Sequence, residues 1–367
     1  MSLAEHAPVY NLCRYCLMCR HVCPVGRTTK REANTPHGWA LLIASVDRGQ
    51  MRWDTEAVDT LYECAQCGLC YDNCVTERPL PSAIAAARAD VFAAGAAPAS
   101  VVELEARLRR WGNPYRAVER PVPAGTAPAA LFVGTAQYLR PQTLTAARKL
   151  LDALGIEHVP VGAGLSSAFL PFALGLRDTA ATLAQAALEQ VAASGASRLI
   201  VLSPEDARAF GDALPELGLA LPVGVERIEL MTLLAEAVEA GGLTFHPLDA
   251  TVTYHDPAHT PHFPGRAAQA RRVLAALFRE PLRELFWREG RAAPGGAVGG
   301  LEWTQPALAE RMTRERLAEA AATGAGLLVT DDPAALAHFE QVAGGAGIPI
   351  AGLFELLAQQ VQLARFA

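Results

Sequence analysis

Lysine is almost missing from this 367-residue chain. Lys30 and Lys149 are the only two, so arginine supplies nearly all the positive charge. Cysteine is missing from everything beyond residue 74. Most of the chain therefore offers neither a disulfide framework nor a thiolate. No apolar run reaches the roughly 20 residues that a membrane-crossing helix needs. Residues 1–11 lack the architecture of a secretory leader. A net charge of only −6 gives no support to nucleic-acid or bilayer binding. These absences lead us to expect a cytoplasmic chain with no transmembrane segment and no nucleic-acid partner. What is plentiful is apolar residue, at 51%, enough for real cores in the two or three domains expected at this length.

All eight cysteines fall in two copies of one spacing. Cys13, Cys16, Cys19 and Cys23 form the first, followed by Pro24, and Cys64, Cys67, Cys70 and Cys74 form the second. Both read C-x2-C-x2-C-x3-C, the run with which bacterial-type ferredoxins hold cubane iron–sulfur clusters. Three cysteines two residues apart wrap three corners of a cubane, and the fourth points away to the other cluster. The spacing thus predicts two [4Fe–4S] clusters with crossed ligation. Cys13, Cys16 and Cys19 would take one cluster with Cys74; Cys64, Cys67 and Cys70 would take the other with Cys23. Gly68 would let the backbone approach the sulfurs, and Pro24 suits the first turn of a helix. Val75 stands where the second run lacks that proline. Zinc also uses paired C-x2-C units, but four cysteines per run exceed a zinc site's usual needs.

Charge near the runs is uneven. Residues 1–31 carry Arg14, Arg20, Arg27, Lys30 and Arg31 against Glu5. Residues 52–78 carry Asp54, Glu56, Asp59, Glu63, Asp72 and Glu77 against Arg52 and Arg78. Positive surroundings favour the reduced cluster, so two different potentials are expected.

Helical apolar spacing between the runs, at Trp39, Leu41, Leu42 and Val46 and again at Val58, Leu61 and Tyr62, predicts an α-helical ferredoxin domain over 1–110. Further helices are expected over 83–94 and 100–111. Asn113, Pro114, Pro121, Pro123, Gly125 and Pro128 mark a linker over 111–128. Beyond it the pattern becomes α/β. Strands are expected over 130–134, 156–161, 198–202, 251–255 and 326–330. Helices are expected over 142–154, 178–194, 267–278, 307–321, 334–342 and 353–365, with another starting at Glu205. Alternation of this kind implies parallel sheets. Residues 129–245 and 246–367 share the order strand, helix, Gly-rich turn, helix, strand, helix, and are read as duplicated halves.

With these residues in view, the chain resembles the iron–sulfur subunits of the glycolate oxidase, lactate-utilisation and heterodisulfide reductase families. Their two-cluster helical domain precedes two α/β domains, each named for a Cys-Cys-Gly motif. Tyr254-His255-Asp256-Pro257-Ala258-His259 is similar to the family's Y-H-D-P-C-H. The departures are Thr135, Ser166-Ser167, Ala258, Ala293-Pro294-Gly295 and Asp332-Pro333-Ala334-Ala335, which stand where the resemblance places cysteines. A further counterpart lies near 203–208. Since oxygen does not replace soft sulfur on iron, no third cluster is expected in the C-terminal half.

The resemblance implies a non-catalytic electron-transfer subunit. It would shuttle electrons between an FAD- or FMN-dependent dehydrogenase and a downstream quinone, ferredoxin or flavoprotein. Bond-making chemistry would belong to the partner's cofactor. The alternatives are a stand-alone heterodisulfide-reductase-like enzyme with a site between the two halves, or a redox-sensing or structural module. His255, His259 and His262 with Asp256 offer a weaker mononuclear metal candidate. The run from Gly295 to Gly300 lacks the G-x-G-x-x-G form of a nucleotide loop. Ser166-Ser167 has no nucleophile-elbow context. Trp53, Trp111, Trp287 and Trp303 are expected in packing.

Overall fold

The structure, a computed structural model, describes residues 3–118, 125–344 and 347–362. Up to Trp111 the described residues form helices and no strand. α1 (Met18–Val22) and α2 (Pro24–Thr29) follow the first cysteine loop. α3 (Pro36–Asp47) and α4 (Thr55–Tyr62) fill the interval between the runs, and α5 (Leu80–Ala93) and α6 (Ala99–Trp111) follow the second. Local chemistry sets their ends. Thr35 caps α3 by accepting from the Gly38 amide, with Pro36 opening the first turn. Asp54 caps α4 by accepting from the Ala57 amide at 2.9 Å. Gly112 closes α6 in the left-handed region, at φ 71°. The indole N–H of buried Trp39 donates to Thr60 O at 2.8 Å, which ties α3 to α4.

After α6 the chain is pinned by Asn113, fully buried, whose amide donates to the carbonyls of Trp111, Ala117 and Gly164. Pro121 and Pro123 of the expected linker lie outside the described residues. The α/β part begins with β1 (Ala129–Phe132), α7 (Pro141–Ala153), β2 (His158–Val161) and α8 (Arg177–Ala193). It continues with β3 (Arg198–Val201), α9 (Pro204–Arg208), β4 (Glu226–Glu229) and α10 (Leu230–Glu239). These strands form one parallel sheet in the order β2-β1-β3-β4. After β5 (Thr244–Phe245) come β6 (Val252–Tyr254), α11 (Arg266–Leu277), α12 (Pro306–Ala322) and β7 (Leu327–Thr330). Then follow α13 (Pro333–Ala343), β8 (Ile350–Gly352), α14 (Leu353–Gln360) and β9 (Val361–Gln362). Strands β6, β7 and β8 make a second parallel sheet in that order. Strands β1 and β6 are buried along their whole length, as parallel strands covered on both faces must be.

Three expectations change. Strands β4 and β8 were not foreseen at the sheet edges. The helix expected over 353–365 ends at Gln360, because Val361–Gln362 turns to pair antiparallel with Thr244–Phe245; residues 363–365 lie outside the described residues. The second sheet has no strand in the place of β2, where a single bond from Arg283 N–H to Val252 O runs along the edge of β6.

The packing between the two sheets' helices repeats. α7 packs on α14, and α10 packs on α11. At each contact an arginine at a helix start meets a glutamate at the start of the facing helix: Arg140 with Glu355 at 3.3 Å, and Arg266 with Glu229 at 2.7 Å. The core of the helical part runs on into the α/β part through Leu174, Leu183, Val298 and Leu301.

Candidate functional site

The two cysteine loops adopt the same backbone path. Left-handed residues stand at matching positions: Tyr15 (φ 50°) and Leu17 (φ 63°) in the first, Gln66 (φ 54°) and Gly68 (φ 81°) in the second. Two such reversals so close together curl each loop tightly. The fourth cysteine of the first run ends that loop. Cys23 caps α2, its sulfur accepting from the Gly26 amide at 3.4 Å, with Pro24 at the first helical position. The second run differs, since no helix follows Cys74 until α5 begins at Leu80.

Thiols of both runs come near one another. One cavity is lined by Cys13, Cys16 and Cys19 of the first run together with Cys70 and Cys74 of the second. Burial raises the Cys19 thiol to about 11, and Cys13, Cys74 and Cys16 add to the rise. Cys23 is raised by burial and then by Cys67 and Cys64, thiols of the other run. Burial pushes Cys67 up to about 12 and Cys70 well above the ordinary thiol range. Cys74 behaves differently: although burial opposes it, hydrogen bonds from Thr76 and the amides of Arg78 and Thr76 lower its pKa. All eight sulfurs are free of disulfides. Among the described residues no three Cys, His, Asp or Glu side chains stand close enough to hold a single ion. Mutually repelling thiols set wide apart suit a soft multinuclear cluster, whose corners keep its ligands separated.

The two groups sit in different surroundings. Cys16 is exposed, and exposed Leu12, Tyr15, Leu17, Met18 and Val75 share its surface. Cys23, Cys64 and Cys67 are buried. Beside them lies Arg88, wholly buried, whose guanidinium donates to the carbonyls of Leu61, Cys64 and Ala173 and stacks 4.9 Å over the Tyr62 ring. No carboxylate pairs with it among the described residues. An unpaired interior cation needs a nearby anion, and a thiolate-bound cluster is one. His262 closes the other side. Its Nε2 lies 3.3 Å from Cys67 O, and its Nδ1 lies 3.3 Å from Asp72. A Cβ on Gly68 would overlap the His262 ring, so Gly68 serves close packing as well as its positive φ. Gly299, from the glycine run, packs its Cα against Ala65, where a Cβ would meet the Ala65 carbonyl at 2.5 Å. The run thus meets the second cysteine loop at Gly299.

The histidine candidates do not form one site. His255 is buried and accepts from Arg316 Nε at 2.9 Å, while Asp256 is gripped by both arms of Arg271 at 2.9 Å. His259 faces Arg208 at 3.2 Å. Burial and then these guanidinium neighbours hold His255 and His259 well below the usual histidine range. Of the tryptophans, Trp287 lies under the Arg27 guanidinium at 3.7 Å, and Trp303 meets Tyr115 edge to face.

Several cysteine-less positions do converge. Thr135, Ser166, Ser167 and Asp332 line one cavity between the two sheets. Sequence reasoning missed Arg88, Arg208 and Glu302 as site residues. The local charge count also left out Arg88 and Arg208, which bring positive charge to the second, acid-flanked run from beyond residues 52–78. Arg88 carries a local signal, as the one charge within residues 83–89, whereas Arg208 follows Glu205 and Asp206 and carries none.

The 4Fe-4S dicluster domain family matches residues 10–77. Over 295 residues the chain is 26% identical to a subunit of the dihydromethanophenazine:CoB--CoM heterodisulfide reductase of Methanosarcina barkeri, covering 76% of this chain and 72% of that protein. The corresponding protein of Methanosarcina acetivorans matches with the same figures. A crystal structure of a hypothetical protein from Helicobacter pylori shares the fold, with a TM-score of 0.59 at 13% identity over 89% of this chain and 67% of that one.

Proposed function

We propose that this chain, an iron–sulfur subunit of the heterodisulfide reductase type, is an electron relay within a multi-subunit oxidoreductase. Its 1–110 segment is read as an α-helical ferredoxin domain, 111–128 as a linker, and 129–245 and 246–367 as two copies of one α/β unit. Two [4Fe–4S] clusters, once bound, supply one-electron storage. Cys13, Cys16, Cys19 and Cys74 hold the outer one, and Cys64, Cys67, Cys70 and Cys23 the inner. The α/β units hold no third cluster, because oxygen and hydrocarbon side chains stand where soft ligands are needed. The residues do the rest. Exposed apolar groups around Cys16 give a partner close approach, Arg88 offsets anionic charge at the inner group, and His262 seals it from water.

The partner in this reading is a flavin-dependent dehydrogenase, and the acceptor a quinone, ferredoxin or second flavoprotein, in the cytoplasm. No described helix is long and apolar enough to cross a membrane. The observation that best supports the relay is the unequal exposure of the thiols, with Cys16 at the surface and Cys23, Cys64 and Cys67 buried. Anaerobic co-purification from the native host tests it. A flavin-containing partner that reduces both clusters on addition of its substrate is expected. Isolation with a non-redox protein, or turnover of a substrate by the chain alone, overturns it.

A further inference from the structure

The cavity between the two sheets has an acidic interior. Glu205, Asp206, Glu302 and Asp332 reach its wall, and among the described residues no lysine, arginine or histidine lines it. The Arg208 guanidinium, whose charge acts on Glu205, is engaged by Asp212 and His259. Two further observations point to a missing partner. Glu302 Oε2 is buried without a hydrogen bond. Ser166, 5% exposed, lines the same wall, and its hydroxyl makes no hydrogen bond among the described residues. Buried polar atoms are rarely left unpaired unless something else completes them.

The shape selects among cations. No three carboxylates among the described residues stand close enough for a single metal ion. One wall is aromatic instead, formed by Tyr115 and Trp303 with ring centroids 5.4 Å apart. The Trp303 ring already draws one cation, the Arg107 guanidinium at 5.7 Å. The inner chamber, about 80 Å³, adjoins a larger vestibule of about 250 Å³ that shares Tyr115, Glu302 and Trp303 with it. An acidic, hydroxyl-bearing end and an aromatic wall suit a charged nitrogen followed by an apolar body.

We propose that this cavity binds a small organic ammonium ion, its nitrogen donating to Glu302, Asp332 and Ser166 and its carbon chain lying along Trp303 toward the vestibule. The site is separate from the cysteine groups, so it does not depend on the relay reading. Burial, reinforced at each by the charge of a neighbouring carboxylate, pushes Asp206 and Asp332 up to about 6 and Glu302 up to about 7, a strain that a bound cation relieves.

Calorimetric titration of the cluster-loaded full chain with n-butylammonium tests the proposal, with n-butanol and Mn²⁺ as controls. Saturable one-to-one binding of butylammonium is expected, with none of butanol. The E302Q/D332N double variant should weaken it by at least about tenfold, the usual effect of losing a charged hydrogen bond. Ser166→Ala, a change the fold tolerates easily, should weaken it less but measurably. Absence of saturable binding, equal binding of butanol, unchanged affinity in the variants, or displacement of butylammonium by stoichiometric Mn²⁺ would each overturn it.

Discussion

Gly68 and Arg88 show how much of the inner thiol group is held from a distance. Replacing Gly68 with alanine forces its Cβ onto the His262 ring and onto a strained φ. The expected result is loss of the inner cluster alone, with iron falling from about eight to about four per chain by metal assay. Arg88→Met leaves three interior carbonyls without donors and should cost ~3 kcal/mol or more in denaturant unfolding. It should also move one midpoint potential to more negative values in an EPR-monitored redox titration, since lost positive charge disfavours the reduced cluster. Arg88→Lys should keep that potential while losing part of the stability. Equal potentials in Met and Lys variants would show that Arg88 is only a structural donor. At this scale the sequence was legible for the eight cysteines, whose spacing is itself the signal. It was silent on Arg88 and Arg208 and offered His262 only as a mononuclear metal candidate, because their roles arise from chain approaches of up to 195 residues, as in the His262–Cys67 contact.

Among the elements, the two cysteine loops carry the main prediction. If each group draws its fourth thiol from the other run, then a Cys13/Cys74 double substitution should lose no more iron than either single one. A Cys13/Cys23 double substitution should lose nearly all of it. Additive loss across the runs, and not within each, would contradict crossed ligation. Element identity was legible wherever burial leaves a local pattern. β1, β3, β6 and β7 are short apolar runs and were located to within about two residues. β4 reads Glu-Arg-Ile-Glu and sits at a sheet edge, so its polar residues hid it. β8 is only three residues long. The last helix stops early for a tertiary reason, the pairing of β9 with β5, which no local propensity announces.

For the molecule as a whole, the acidic cavity predicts a distinct pH response. Its carboxylates have folded-state pKa values above their unfolded ones, so the folded chain binds more protons and stability falls as pH rises. For Asp206, Asp332 and Glu302 the loss begins near pH 4 and runs through about 7, the highest of the three values, and Glu205, raised well above the usual range by burial and then by Asp332, adds to it. Thermal unfolding should therefore show E302Q/D332N gaining more over the parent at pH 8 than at pH 5. The amide introduced by D332N retains an oxygen for the backbone N–H groups of Ala334 and Ala335, so the cap of α13 survives. An equal gain at both pH values would remove the carboxylates as its cause. None of this was legible from the residues singly. Glu205 with Asp206, Glu302, and Asp332 come from three separate stretches of the chain, and only the packing of the two sheets joins them.

The unequal shelter of the thiol groups carries a consequence for handling in air. Dioxygen meets Cys16 at the surface but must cross packed protein to reach Cys64 and Cys67. Bleaching should then proceed in two phases, the first fast and the second slow. Briefly aerated protein would keep its inner pigment while losing the port through which that pigment is charged, and it would look half-intact to the eye while conducting nothing.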